Sequence, residues 1–197
     1  MIEANSYFFG PVLFRLKLEN ADLENIKKLC IRSEQNNYAD ALAGAFKTEY
    51  LIDKGAYSNI MNPYMEYFRQ GCNEFYGKKI KNLIVASAWV NYMKKGDFNP
   101  SHVHLGCRFS TVMVLQSPKD LKKEIQEYYN YSNCNDNGPG CLAFRHGESL
   151  PELKNIKTFE PEEGYCFFFP SWLEHWVNPF KCDGERITVA SNINYME

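Results

Sequence analysis

Apolar positions recur along the chain with two periods, and the change between them divides it near residue 80. In the first part Leu23, Ile26, Leu29 and Cys30 fall on one helical face over Asp22 to Ser33, with Asn20 or Asp22 available as an N-cap. From Ser58 to Tyr76 the residues Ile60, Tyr64, Tyr67, Phe68, Cys72 and Phe75 form a second stripe of the same period, which predicts a core-facing helix. Tyr7 to Leu18 predicts a strand interrupted at Gly10-Pro11.

The second part turns to short β-rich runs. Leu83 to Met93 (LIVASAWVNYM) is followed by a turn at Gly96 to Pro100, and His102 to Leu115 (HVHLGCRFSTVMVL) predicts one continuous strand ending at Ser117-Pro118. Lys119 to Tyr131 fits a short charged helix or lid, and the loop NCNDNGPG comes after it. Further strands are expected at Cys141–Arg145, Tyr165–Phe169 and Arg186–Ile193. Short strands broken by Gly and Pro turns, behind a helical opening segment, predict a mainly β fold with flanking helices. The expected architecture is a double-stranded β-helix (a jelly roll, cupin-like) over about 83–195, buttressed by an N-terminal α/β layer. No repeat, linker or low-complexity tract interrupts 1–197, so one domain is expected.

Composition narrows the classes. Aromatic residues make up 15% of the chain, which favours aromatic-rich strands over a plain helical bundle. Net charge is −2, and the small lysine clusters (Lys78, Lys79, Lys81; Lys119, Lys122, Lys123) suit solvated faces, so no nucleic-acid footprint emerges. The 7 cysteines are odd in number, widely spaced and free of any CxxC pair, which argues against a disulfide framework or zinc knuckle and for a reducing setting. The opening MIEANSYFFG lacks a basic start, the segment offers no small-residue cleavage site, and no apolar run nears the roughly 20 residues of a membrane span. A cytoplasmic location is the expectation.

Chemistry concentrates in the histidines, of which there are 4. His102 and His104, two apart on the expected strand, would share a face about 7 Å apart along the backbone, close enough to converge on one metal. His175 follows the apolar run and turn FFFPSWLE and supplies a third imidazole. Three imidazoles suit Zn, Fe or Cu, and ligand type alone does not choose among them. Arg186 opens the apolar strand RITVASNINY; a cation there needs an anion, and a planar guanidinium matches a carboxylate, with Thr188 adding a hydroxyl on the same face. A metal beside a carboxylate receptor is what a chelating 2-oxo acid requires. His146 fits a surface or structural role better than a place at the substrate mouth, Arg108 and Arg145 suit equally an acidic substrate group or a surface charge, and Trp89, Trp172 and Trp176 are expected to pack the barrel and frame the site.

The order HxH … FPSWLEHWVNPF … RITVASN resembles the 2-oxoglutarate/Fe(II) oxygenase superfamily, and it is most similar to a bacterial and phage-encoded branch. The resemblance covers roughly 83–195; the first 80 residues carry no motif. It implies His102 and His175 as iron ligands, Arg186 as the anchor of the 2-oxoglutarate carboxylate with Thr188 assisting, and Tyr92 as a donor to the co-substrate. Asn192 matches a late Asn of the closing strand. The departure is His104, where most of the superfamily has Asp or Glu. Ligation by His104 is expected, against the alternative that water completes the set and His104 stands behind it. Asp97 and Glu174 are the neighbouring acids, Asp97 in a turn and Glu174 on the face opposite His175. The implied activity is oxidation of an unknown substrate with release of succinate and CO2. The alternatives are a three-histidine metal enzyme that does not use 2-oxoglutarate (a dioxygenase or Zn hydrolase) and a non-catalytic jelly-roll binding module.

Overall fold

The computed structural model describes residues 3–8, 10–132, 137–148, 150 and 154–196 of the chain. Strands β1 (Glu3–Phe8) and β2 (Val12–Lys17) lead into helix α1 (Asn20–Leu29), then β3 (Glu49–Leu51), helix α2 (Lys54–Tyr76) and β4 (Asn82–Met93). After them come β5 (Asn99–His102), β6 (Phe109–Gln116), helix α3 (Leu121–Tyr131), β7 (Leu142–Arg145), β8 (Ile156–Phe159), β9 (Tyr165–Pro170), β10 (Glu174–Val177) and β11 (Arg186–Met196). They form two antiparallel sheets, a large one in the order β1-β2-β9-β6-β11-β4-β3 and a small one in the order β5-β10-β7-β8. This is the jelly roll expected from the short alternating strands.

Strand alternation sorts each central strand between two cores. Phe168, Val189, Ile193 and Met113 face outward from the large sheet and pack on Tyr57, Met61, Tyr64, Phe68 and Cys72 of α2. Phe167, Phe169 and Met93 point the other way and meet Phe144, Leu142 and Val177 of the small sheet. The helix sits close: a Cβ on Gly71 would stand 2.3 Å from Phe14 Cζ, so only glycine permits that approach. Asp53 caps α2 by accepting from the Ala56 amide at 2.6 Å. Neither expected cap serves α1; the cap position is Glu19, and the Asp22 carboxylate instead accepts from the Tyr64 hydroxyl of α2.

The largest departure from expectation lies at HVHLGCRFSTVMVL. It is two strands in different sheets, β5 ending at His102 and β6 beginning at Phe109. Gly106, at φ +79°, turns the chain between them, a conformation that disfavours any side chain. The described cysteines are free thiols; Cys134 lies outside the described residues. No described helix is long and apolar enough to cross a membrane.

Candidate metal centre and its surroundings

Three segments deliver the histidines. His102 is the last residue of β5 and pairs directly across the strands with His175 of β10, which brings their ring centroids to 4.3 Å. His104 is beyond the strand, on the β5–β6 loop, where its amide donates to the Ser171 carbonyl at 2.9 Å. Same-face alternation is therefore not what gathers His102 and His104; the loop folds the second imidazole back. One ligand atom from each of the three lies within 4.8 Å of the others, and His104 Nε2 stands 3.3 Å from His175 Nε2.

The tautomers follow from the partners. His102 Nδ1 lies 2.7 Å from the Pro100 carbonyl and His175 Nδ1 lies 2.9 Å from the Leu173 carbonyl. A carbonyl only accepts, so each Nδ1 carries the proton and each Nε2 presents a lone pair. This is the usual orientation of metal-bound imidazoles, whose outer N–H is held by a backbone or carboxylate acceptor. Burial keeps the rings neutral. It holds His102 below the usual histidine range and pushes His104 down to about 4, with His102 adding to the effect, while the nearly enclosed His175 is held well below the usual range. Phe144 and Phe169 flank His175. The Nε2 lone pairs of His102 and His175, with His104 Nε2 3.3 Å from that of His175, form a donor set that fits a cation.

Arg186 satisfies the second requirement. It is 1% exposed, its Nε donates to the Gly140 carbonyl at 3.0 Å, Nη1 lies 3.6 Å from Met93 Sδ, and Nη2 has no partner. No carboxylate among the described residues meets it. Thr188 and Ala190, at the following alternate positions of β11, line the cleft beside the histidines, so Arg186 belongs to that same strand face. An unfilled guanidinium donor in a buried setting fits an incoming carboxylate.

The other expected residues separate from this group. Tyr92 is on the opposite face of β4 from the cleft: its hydroxyl donates to the Cys30 carbonyl at 2.9 Å, and Arg32 stacks over its ring. It is not positioned as a donor to a co-substrate, because strand parity turns Asn91, not Tyr92, inward. Glu174 points outward into a two-contact ion pair with Arg145 and a short hydrogen bond from Ser101, and Asp97 accepts from the Lys94 amide. His146 sits against Trp172, away from the trio. Trp89 and Trp176 frame the cleft, but Trp172 is exposed. Asn192 accepts from Ser110. Sequence reasoning missed Glu49, Asn91 and Asn99, all of which line the cleft. The cleft is narrow, with about 30 Å³ of open space between its walls.

A family model described as "Putative 2OG-Fe(II) oxygenase" matches residues 87–192, more than half of the chain. The chain belongs to this family. The oxygenase is thus an enzyme that uses Fe(II) and 2-oxoglutarate, and the histidine trio is a donor set that fits the metal. A prolyl-4-hydroxylase from Pseudomonas putida is similar in fold, with TM-score 0.57 at 15% identity over 98% of this chain and 92% of that one. A 2OG-Fe(II) oxygenase family member from Burkholderia pseudomallei gives TM-score 0.55 at 14% identity over 90% and 79%. The viral collagen prolyl hydroxylase of Paramecium bursaria Chlorella virus-1 gives 0.52 at 15% over 92% and 94%. No curated protein matches the sequence of the oxygenase.

Proposed function

We propose that His102, His104 and His175 together hold the Fe(II) of this oxygenase and that Arg186, with Thr188 beside it, receives the distal carboxylate of 2-oxoglutarate, all within one domain spanning 1–197. The observation that carries the reading is the convergence of three imidazole ligand atoms within 4.8 Å. The fixed Nδ1 protons of His102 and His175 support it, and so does the unpartnered Nη2 of Arg186. Bound together, iron and 2-oxoglutarate supply the oxidising chemistry, with succinate and CO2 as products.

The chain's own residues do the rest. The carbonyls of Pro100 and Leu173 hold two rings in the ligating tautomer, which spares the metal the cost of ordering them. Arg186 offers a buried, already desolvated charge, so a carboxylate arriving there gains a strong, directional contact with little solvent to displace. Phe144, Phe169 and Trp89 wall the centre with apolar surface and limit water access. Without a carboxylate among its three ligands, the site carries a higher formal charge than a two-His, one-carboxylate site, which favours a dianionic co-substrate.

The test is iron content and succinate formation in His102→Ala and His175→Ala beside His146→Ala. The first two lose stoichiometric iron while remaining folded, and the third keeps it. Full iron in either ligand variant would end the assignment.

A further inference from the structure

Glu49 is a buried acid that the metal reading leaves unused. It stands on the short strand β3, directly opposite Asn91 of β4, so the two side chains are cross-strand neighbours. It is 1% exposed, its Oε2 has no hydrogen-bond partner, and it lines the same cleft as the three histidines. No lysine or arginine among the described residues lines that cleft. Asn91, 4% exposed, donates to Thr188 but leaves its own Oδ1 without a partner. A third acceptor joins them. The place where a Cβ on Gly44 would sit lies 2.8 Å from Phe46 Cε1 and 3.0 Å from both Glu49 Oε1 and Asn99 Oδ1, so these two oxygens draw together beside Gly44 at the edge of the Phe46 ring.

A buried carboxylate and a buried amide oxygen, each short of a donor, cost free energy unless something fills them. A group that brings several N–H donors and a positive charge satisfies both oxygens and draws the carboxyl into its ionised form. An ammonium carries three donors and a guanidinium five. From this geometry we infer that Glu49, with Asn91 and Asn99, forms the substrate-recognition end of the cleft, and that the substrate presents a primary ammonium or guanidinium group there while its neighbouring C–H bonds face the histidine centre. The inference deepens the proposed oxygenase site and rests on it for the orientation of the substrate. It makes Glu49 a specificity-determining residue and restricts the substrate class to amines and guanidines, free or as Lys- or Arg-like side chains.

Protonation adds a signature. Burial pushes the Glu49 carboxyl up to about 8, so it holds a proton near neutral pH until a cation arrives. The groups facing the same cleft are neutral: Trp89 and Asn91 from β4, Asn99 from β5, Thr188 and Ala190 from β11, with His102, His104 and His175 as its other titratable members. Cation binding at neutral pH in the metal-free protein therefore draws that proton off, and a neutral donor does not.

The experiment uses the whole chain, both metal-free and loaded anaerobically with Fe(II) and 2-oxoglutarate. n-Butylammonium and methylguanidinium are titrated beside n-butanol and butyrate, by calorimetry in two buffers of different ionisation enthalpy. The cations bind at least tenfold more tightly than either control, with proton release. Glu49→Gln, isosteric and uncharged, abolishes both the preference and the release while retaining iron and 2-oxoglutarate binding. Asn99→Asp, which adds a second carboxylate to the subsite, tightens the cations several-fold and guards against a folding defect in the first variant. Equal binding of cations and controls overturns the inference, as does a Glu49→Gln protein with unchanged preference. Loss of iron in Glu49→Gln also overturns it, by making Glu49 a ligand of the metal. If the wild type itself fails to hold iron, the metal reading falls, and the cation preference of the metal-free protein still decides this one.

Discussion

Replacing Arg186 by Met separates what this residue costs from what it does. Burial lowers the guanidinium from 12.5 to about 10, and at about 1.4 kcal/mol per pH unit that corresponds to a penalty of roughly 3 kcal/mol. The sign is that of a base disfavoured by folding: the penalty is fully present at every pH below about 10 and fades only above it. Methionine removes the charge and fills similar space, but it leaves the Gly140 carbonyl without its donor, a loss of about 1–3 kcal/mol. The net expectation for the protein without 2-oxoglutarate is Arg186→Met more stable than wild type by about 1 kcal/mol, or about 2–4 °C in Tm. With Fe(II) under nitrogen and 2-oxoglutarate at about 100 times the wild-type Kd, wild type gains about 2.7 kcal/mol and the variant, which keeps only the chelating end, gains less than about 1 kcal/mol. The order of the two melting curves therefore inverts on adding the co-substrate. A ligand-free variant less stable than wild type by 2 kcal/mol or more would show that Arg186 is a structural residue, and equal ligand-induced shifts would place the oxo acid elsewhere.

His104→Asp keeps iron, because a carboxylate at that place restores a common ligand set, whereas His104→Ala loses most of it; normal iron and turnover in the Ala variant would remove His104 from the ligands. The metal-free protein loses stability as pH falls from about 6.5 toward 4, since unfolded histidines bind protons there that the buried His104 refuses until about 4; a flat acid limb in urea midpoints between those values would contradict this. Tyr92→Phe leaves 2-oxoglutarate affinity unchanged and costs about 1 kcal/mol of stability through the lost bond to Cys30, so a weakened oxo acid would return Tyr92 to the site.

How much of this was legible in the sequence depended on how scarce each residue type is in its setting. Few histidines exist, and three of them fall beside aromatic strand segments, so the trio stood out. Arg186 stood out for the complementary reason, a cation at the head of an otherwise apolar strand. Tyr92 was misplaced because the parity of β4 is set by which face meets α2, information that an alternating apolar run buried on both faces does not carry. The strand expected over His102 to Leu115 failed at Gly106, where a positive φ breaks a pattern that apolarity alone would continue. Glu49 was illegible: an acid beside a lysine and a threonine in KTEYLID looks solvated, and only tertiary pairing with β4 buries it.

The split between β5 and β6 has a consequence for the order in which the centre assembles. His102 and His175 are fixed relative to one another by the sheet before any metal arrives, whereas His104 is carried by a connection whose tip, Leu105, is 89% exposed. The His104 amide bond to the Ser171 carbonyl already seats the third imidazole beside His175, so its release needs only local opening of that connection while the pair stays fixed. Amide hydrogen exchange should register this directly. On metal loading, protection rises at 103–106 while β5 and β10 scarcely change, so the slow step of metal capture and release resides in a loop rather than in the barrel.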